Sequence, residues 1–184
     1  MIKYGIAAIA ALAVCLAAGQ ATAGLDGENV LSPLPQGYKV GTSEATPTGS
    51  LSEYVPQAET VQDWSTMITV MVMHVQATPD QFATGMLQSI KGGCAGIQSQ
   101  KVTDGTENGY AFSIWVADCP MNPATGKPES FFMKIIAGKD ALYNIQYAYR
   151  QDMTADLGKP AVTYLKRVQV CDTRGADHPC PPGM

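Results

Sequence analysis

Histidine is the scarcest reactive residue in this sequence, with only His74 and His178 among 184 positions. That scarcity leaves little for a histidine-based metal centre or general base. No Gly-x-Ser-x-Gly turn is present to raise a serine nucleophile. The glycine run Gly92–Gly96 lacks the Lys-Ser/Thr that follows in a phosphate loop. Long apolar runs are missing too. The stretch Ile6–Ala18 falls short of the roughly 20 residues needed to span a bilayer, and no later stretch reaches that length. A basic block is also lacking. Twelve Lys and Arg against sixteen Asp and Glu leave a net charge of −4, which argues against nucleic acid as a partner.

The beginning of the chain carries the clearest positive signal. Lys3 supplies a positive start, Ile6–Ala18 a short apolar core, and Ala21-Thr22-Ala23 a small-x-small cleavage site, so residues 1–23 read as a signal peptide. The mature protein is expected to begin at Gly24 in a periplasmic or secreted location. Leu12-Ala13-Val14-Cys15 offers a minority alternative, a lipoprotein acylated at Cys15, although the branched Val14 fits poorly before such a cysteine.

Cleavage leaves about 160 residues, enough for one domain. The expected divisions are an extended, weakly ordered lead-in over 24–37, a single domain over 38–174 and a tail over 175–184. Cys94, Cys119, Cys171 and Cys180 remain, and an even number in an oxidising compartment reads as a disulfide framework. Three pairings are open. The local one, 94 with 119 and 171 with 180, closes two uncrossed loops and pins the tail, each bridge contributing about 2–3 kcal/mol.

Apolar periodicity outlines the elements. Short strands are expected at Tyr38–Thr42 and Leu51–Val55, and Thr60–Asp63 resembles a capping sequence that opens a helical turn. Met67–Val75 is apolar on both faces, as in a strand covered from both sides and central in its sheet. Thr78, Pro79 and Gln81 start a helix over Pro79–Lys91, with Phe82, Met86, Leu87 and Ile90 on one stripe. Two hairpins follow. Ile97–Thr103 and Tyr110–Asp118 flank the turn-forming run Asp104–Gly109, and Phe131–Ala137 and Leu142–Tyr149 flank Gly138-Lys139-Asp140. Cys119–Pro128 holds three prolines and reads as irregular. Thr154–Val170 reads as helical, interrupted at Gly158 and restarted by Pro160. The class is α+β, an antiparallel sheet flanked by two main helices.

Candidate sites are few. His74 falls on an apolar strand face, where a structural role is the simpler reading, and it is the weak candidate for a catalytic base working with a nearby carboxylate. His178 lies near Asp177, Cys171 and Asp172, but their spacing matches no closed zinc site, so no metal and no cofactor are expected. Tyr143, Tyr147 and Tyr149 alternate with an amide-bearing face of Asn144 and Gln146. The first set is expected beneath a helix and the second in solvent. Lys127, Lys139 and Arg150 are the best available charged binding contacts. The reading is a non-catalytic cell-envelope binding or accessory protein, with a protein or small-molecule partner; the alternative is a periplasmic hydrolase built on His74.

Glu53-Tyr54-Val55-Pro56, Trp64, Cys119-Pro120, Gly126-Lys127-Pro128-Glu129, Gly138-Lys139-Asp140, Tyr149-Arg150 and Cys171-Asp172-Thr173-Arg174 together resemble a small family of uncharacterised exported proteobacterial proteins. That resemblance spans most of the mature chain and implies no particular activity. The order of strands and helices is also similar to the PsbP-like fold, which implies an antiparallel sheet flanked by helices and an accessory or binding role.

Overall fold

A computed structural model describes residues 26–181. Residues 1–23, expected to be a signal peptide and including Cys15, lie outside the described residues, as does Gly24. The elements run β1 (Glu28–Leu31), β2 (Tyr38–Thr46), β3 (Gly49–Pro56), β4 (Thr66–Met73), α1 (Pro79–Gly93), β5 (Gln98–Glu107), β6 (Tyr110–Asn122), β7 (Lys127–Ala137), β8 (Leu142–Tyr149), α2 (Ala155–Leu165) and β9 (Gln169–Asp172). Seven strands form one antiparallel sheet in the order β2-β3-β4-β8-β7-β6-β5, and β1 pairs with β9 in a separate ribbon. The class is α+β.

Local chemistry explains the path. Thr78 caps α1, its side chain accepting from Gln81 N while Gln81 Oε1 accepts from Thr78 N, with Pro79 at the first helical position. This helix carries the chain from β4 across the sheet to the far edge, from where β5, β6, β7 and β8 walk back until β8 pairs with β4. β4 is therefore an inner strand, with β8 at the middle of the seven. On one face Ala83 and Leu87 of α1 pack on Met67, Phe131, Met133 and Ile135. On the other, Ala161, Tyr164 and Leu165 of α2 pack on Ile68, Tyr143, Ile145 and Tyr149.

Several sequence expectations need correction. The turn between β5 and β6 is only Asn108-Gly109, both at positive φ (47° and 77°), as a two-residue hairpin requires; Asp104–Glu107 belongs to the strand. Prolines do not make Cys119–Pro128 irregular throughout. β6 continues to Asn122 and β7 starts at Lys127, with Pro120 and Pro128 placed where the ladder shifts register between Cys119 and Asn122, so neither is asked to donate a ladder bond. Thr60–Asp63 keeps its side-chain bond, Asp63 N donating to Thr60 Oγ1 at 3.2 Å, but forms a bend and no helix. α2 runs through Gly158 and Pro160 without a break. A Cβ at Gly158 would stand 3.4 Å from Phe132 Cζ, so its small size suits the close approach of α2 to the sheet. The helix also stops sooner than expected, and Gln169-Val170 turns into β9 because β1 is there to pair with it.

That pairing overturns the weakly ordered reading of the lead-in. Glu28 accepts from Lys139 N (2.7 Å), Asp140 N (3.1 Å) and Tyr143 Oη (2.9 Å), tying β1 to the β7–β8 turn. The same end of the molecule holds Lys134, only 1% exposed, which donates to Val168 O at 2.7 Å and ion-pairs with Glu107. Burial lowers the Lys134 pKa, and the Glu107 hydrogen bond opposes that shift. Cys94 is joined to Cys119, and Cys171 to Cys180. Glu28→Ala is expected to cost about 2–3 kcal/mol, because it strands the buried Tyr143 hydroxyl and two turn amides. Urea unfolding monitored by tyrosine and tryptophan fluorescence measures this loss.

Candidate functional site

The strand ends nearest Arg150 bring several polar and charged side chains together. β8 ends at Tyr149, and the following Arg150 donates its backbone N–H to Ser65 O at 3.0 Å, so it meets the loop joining β3 to β4. That loop is shaped by Glu59, which accepts from both Ser65 N and Ser65 Oγ at 2.7 Å. Trp64 is thereby turned inward. The Arg150 guanidinium lies over its ring, 4.2 Å from the centroid, and donates to Gln62 O at 3.0 Å. The Arg150 side chain is 7% exposed, and its buried Nε has no hydrogen-bond partner among the described residues. Asp63 is 87% exposed and sits 3.8 Å from both Arg150 Nη1 and Lys127 Nζ.

The structure thus brings together two of the three basic residues singled out from the sequence. Lys139 lies at the opposite end of the sheet, in the β7–β8 turn, where its carbonyl accepts from Gln76 Nε2 at 3.2 Å. Beside it Arg174 bridges Asp140 at 2.6 Å and Asp172 at 2.7 Å, and its hydrogen bonds hold the Asp172 carboxyl far below the usual range.

A cavity of about 390 Å³ opens on the α1 side near the Arg150 end. Ile90, Phe131 and the Cys94–Cys119 bridge form its apolar wall, with Asn122, Glu129 and Gln146 among its polar groups. Asn122 Nδ2 donates to Glu129 Oε2 at 2.8 Å, and Gln146 Nε2 lies 3.6 Å from Met86 Sδ. Glu53, further along this face, has its pKa raised by burial and by the neighbouring charges of Glu44 and Glu129. A few convergent polar groups in an apolar cleft of this size are suited to holding a ligand.

The other candidates separate. His74 is exposed just beyond β4, and its side chain makes no hydrogen bond or ion pair among the described residues; its backbone N–H bonds Thr48 O at 3.0 Å. His178 is a structural residue of the tail. Its Nδ1 lies 2.7 Å from Asn108 O, its ring stacks on Tyr110 at 4.2 Å, and a Cβ at Gly109 would come within 2.4 Å of it. Cys171 and Cys180 are spent on their bridge and offer no thiolate. Tyr143, Tyr147 and Tyr149 do lie on the α2 side, where burial raises their pKa values, that of Tyr149 to about 12. The amide face does not meet solvent, however. Asn144 is fully buried and Gln146 half-buried, because α1 crosses that face. Sequence reasoning therefore missed Gln146, Asn122 and Glu129 as cavity residues; the one available signal was an amide pair on an otherwise apolar strand.

No family model matches the chain, and no curated protein matches it. Among solved structures it is similar to the solution structure of cyanobacterial PsbP (CyanoP) from Synechocystis sp. PCC 6803, at 10% identity and a TM-score of 0.52, over 81% of this chain and 95% of that one. The fold is PsbP-like. At that identity the likeness extends to the fold alone. LpqN of Mycobacterium tuberculosis, described as involved in cell envelope biogenesis, matches 81% of this chain and 87% of its own at 13% identity with a lower TM-score of 0.41.

Glu53→Gln tests the electrostatics of this face. Because the folded-state pKa of Glu53 is raised, its charged form disfavours folding once the pH exceeds that value, and the effect vanishes below the unfolded-state value of about 4.3. The variant is expected to show a higher urea midpoint than the wild type at pH 7, with the difference disappearing by about pH 4.

Proposed function

We propose that the protein is an exported, non-catalytic binding or accessory protein of the cell envelope, whose recognition surface is the Arg150 end of the sheet with Lys127 and the cavity beside it. The observation that carries this reading is the cavity itself, which joins an apolar wall to a carboxylate and two amides. Export rests on the signal-peptide pattern of residues 1–23, with the lipid-anchored form at Cys15 as its variant. The two disulfides suit an oxidising compartment. The motif resemblance to exported proteobacterial proteins points the same way. No helix among the described residues is long and apolar enough to cross a membrane.

The hydrolase reading rests on His74. Its imidazole is exposed, and no carboxylate lies within ion-pair distance of it among the described residues.

Affinity capture from periplasmic extract, run beside a broad hydrolase screen, distinguishes the two. The mature protein is expected to retain a stoichiometric partner or ligand that a Lys127→Ala, Glu129→Gln double variant holds several-fold less well. Turnover abolished by His74→Ala, with nothing retained, would instead establish the hydrolase.

A further inference from the structure

We propose that the cavity beside the Cys94–Cys119 bridge binds the ammonium group of a primary amine carried on an apolar stem, with Glu129 as its counter-ion. This deepens the binding role proposed above and rests on it.

Charge distribution comes first. Glu129 is the only charged residue among the described residues lining the cavity. It takes part in no ion pair among the described residues, and only its Oε2 is hydrogen-bonded there, by Asn122. Its second oxygen is an unused acceptor in a half-buried position, where water solvates a carboxylate less well than in the open. The nearby cations do not answer it. Lys127 and Arg150 both approach Asp63, and Arg150 is further held by Trp64 and the Gln62 carbonyl.

The remaining polar wall has the same sense. Gln146 turns its Nε2 toward Met86 Sδ, which leaves its Oε1 as a second acceptor without a hydrogen bond among the described residues. Two acceptors, one of them ionised, match a donor-only group. An ammonium supplies three N–H donors and a full positive charge, and its hydrogen bond to a carboxylate is among the stronger ones proteins form. A divalent metal is a poorer fit, because calcium seeks six to eight oxygen ligands and this wall has a single carboxylate. The rest of the lining selects the stem. Ile90, Phe131 and the bridge offer apolar surface that a short alkyl chain covers. Such a group is found in free alkylamines and at the end of a lysine side chain.

The test uses the mature protein with both bridges intact, titrated by NMR with n-hexylammonium, with a capped alanine-lysine-alanine peptide, and with hexanoate and hexanol as matched controls. The amines are expected to shift the amide signals of Ile90, Glu129 and Gln146, while the two controls leave them in place. Glu129→Gln keeps the side-chain shape and the Asn122 hydrogen bond, and is expected to weaken amine binding about ten-fold or more with an unchanged melting temperature. Lys139→Ala, at the opposite end, is expected to bind as the wild type does. Tighter binding of hexylammonium than of the peptide identifies a small amine as the ligand, and the reverse identifies a lysine side chain on a protein partner. Equal shifts with hexanoate or hexanol overturn the ammonium assignment while leaving a binding cavity in place. No shift with any probe overturns the proposal outright, and the wider reading then depends on partner capture alone.

Discussion

The ladder between β4 and β8 is the contact on which the rest of this fold depends. It joins the hairpin β2–β3 and its neighbour β4 to a meander formed after α1, through eight paired positions from Thr66–Tyr149 to Met73–Leu142. Long-range pairing of this kind needs a large apolar gain to offset the entropy of closing the intervening loop. Both strands supply it on two faces at once. Ile68 and Ile145 are fully buried under α2, while Met67 and Ala148 are buried under α1. Either helix is without a floor if this ladder fails to form.

The second constraint is the joining of the chain ends. β1 and β9 make a ribbon outside the main sheet, so side-chain contacts hold it there: Val30 and Val170 pack on the α2-side core, and polar contacts add to them. Glu28 reaches the β7–β8 turn, Arg174 reaches Asp140, and Lys134 takes the Val168 carbonyl left free after α2. The Cys171–Cys180 bridge then keeps the tail close enough for His178 to cover Tyr110. One end of the molecule is thus occupied by structural ion pairs and hydrogen bonds. The other end is left with the less fully paired Arg150 and Glu129, and this asymmetry supports the recognition surface proposed there.

The cavity follows from where α1 stops. Cys94 ends the helix and is bonded to Cys119 on β6, so the helix covers the middle of its sheet face and leaves the region beside Glu129 and Gln146 open. Position therefore decides what these residues can do. An amide two positions along β8, Asn144, is sealed beneath the helix with one oxygen unpaired, whereas Gln146 reaches the cavity wall.

What the sequence by itself determined is whatever depends on near neighbours. The cap at Thr78, the apolar stripe of α1 and the two-faced pattern of β4 are set within a few residues, and the α+β class follows from the order of the elements. Tertiary structure decided the rest, because it concerns partners far apart along the chain. Residues 28–31 and 169–172 gain strand structure only from each other. Pro120 and Pro128 read as breakers until a register shift accommodates them, and the amide face of β8 reads as solvent-facing until a helix crosses it. The candidate site was half legible. Lys127 and Arg150 stand out as charges, but their convergence on Asp63, and the cavity that collects Asn122, Glu129 and Gln146, depend on a sheet that brings β6, β7 and β8 to a common end. No local pattern encodes that juxtaposition.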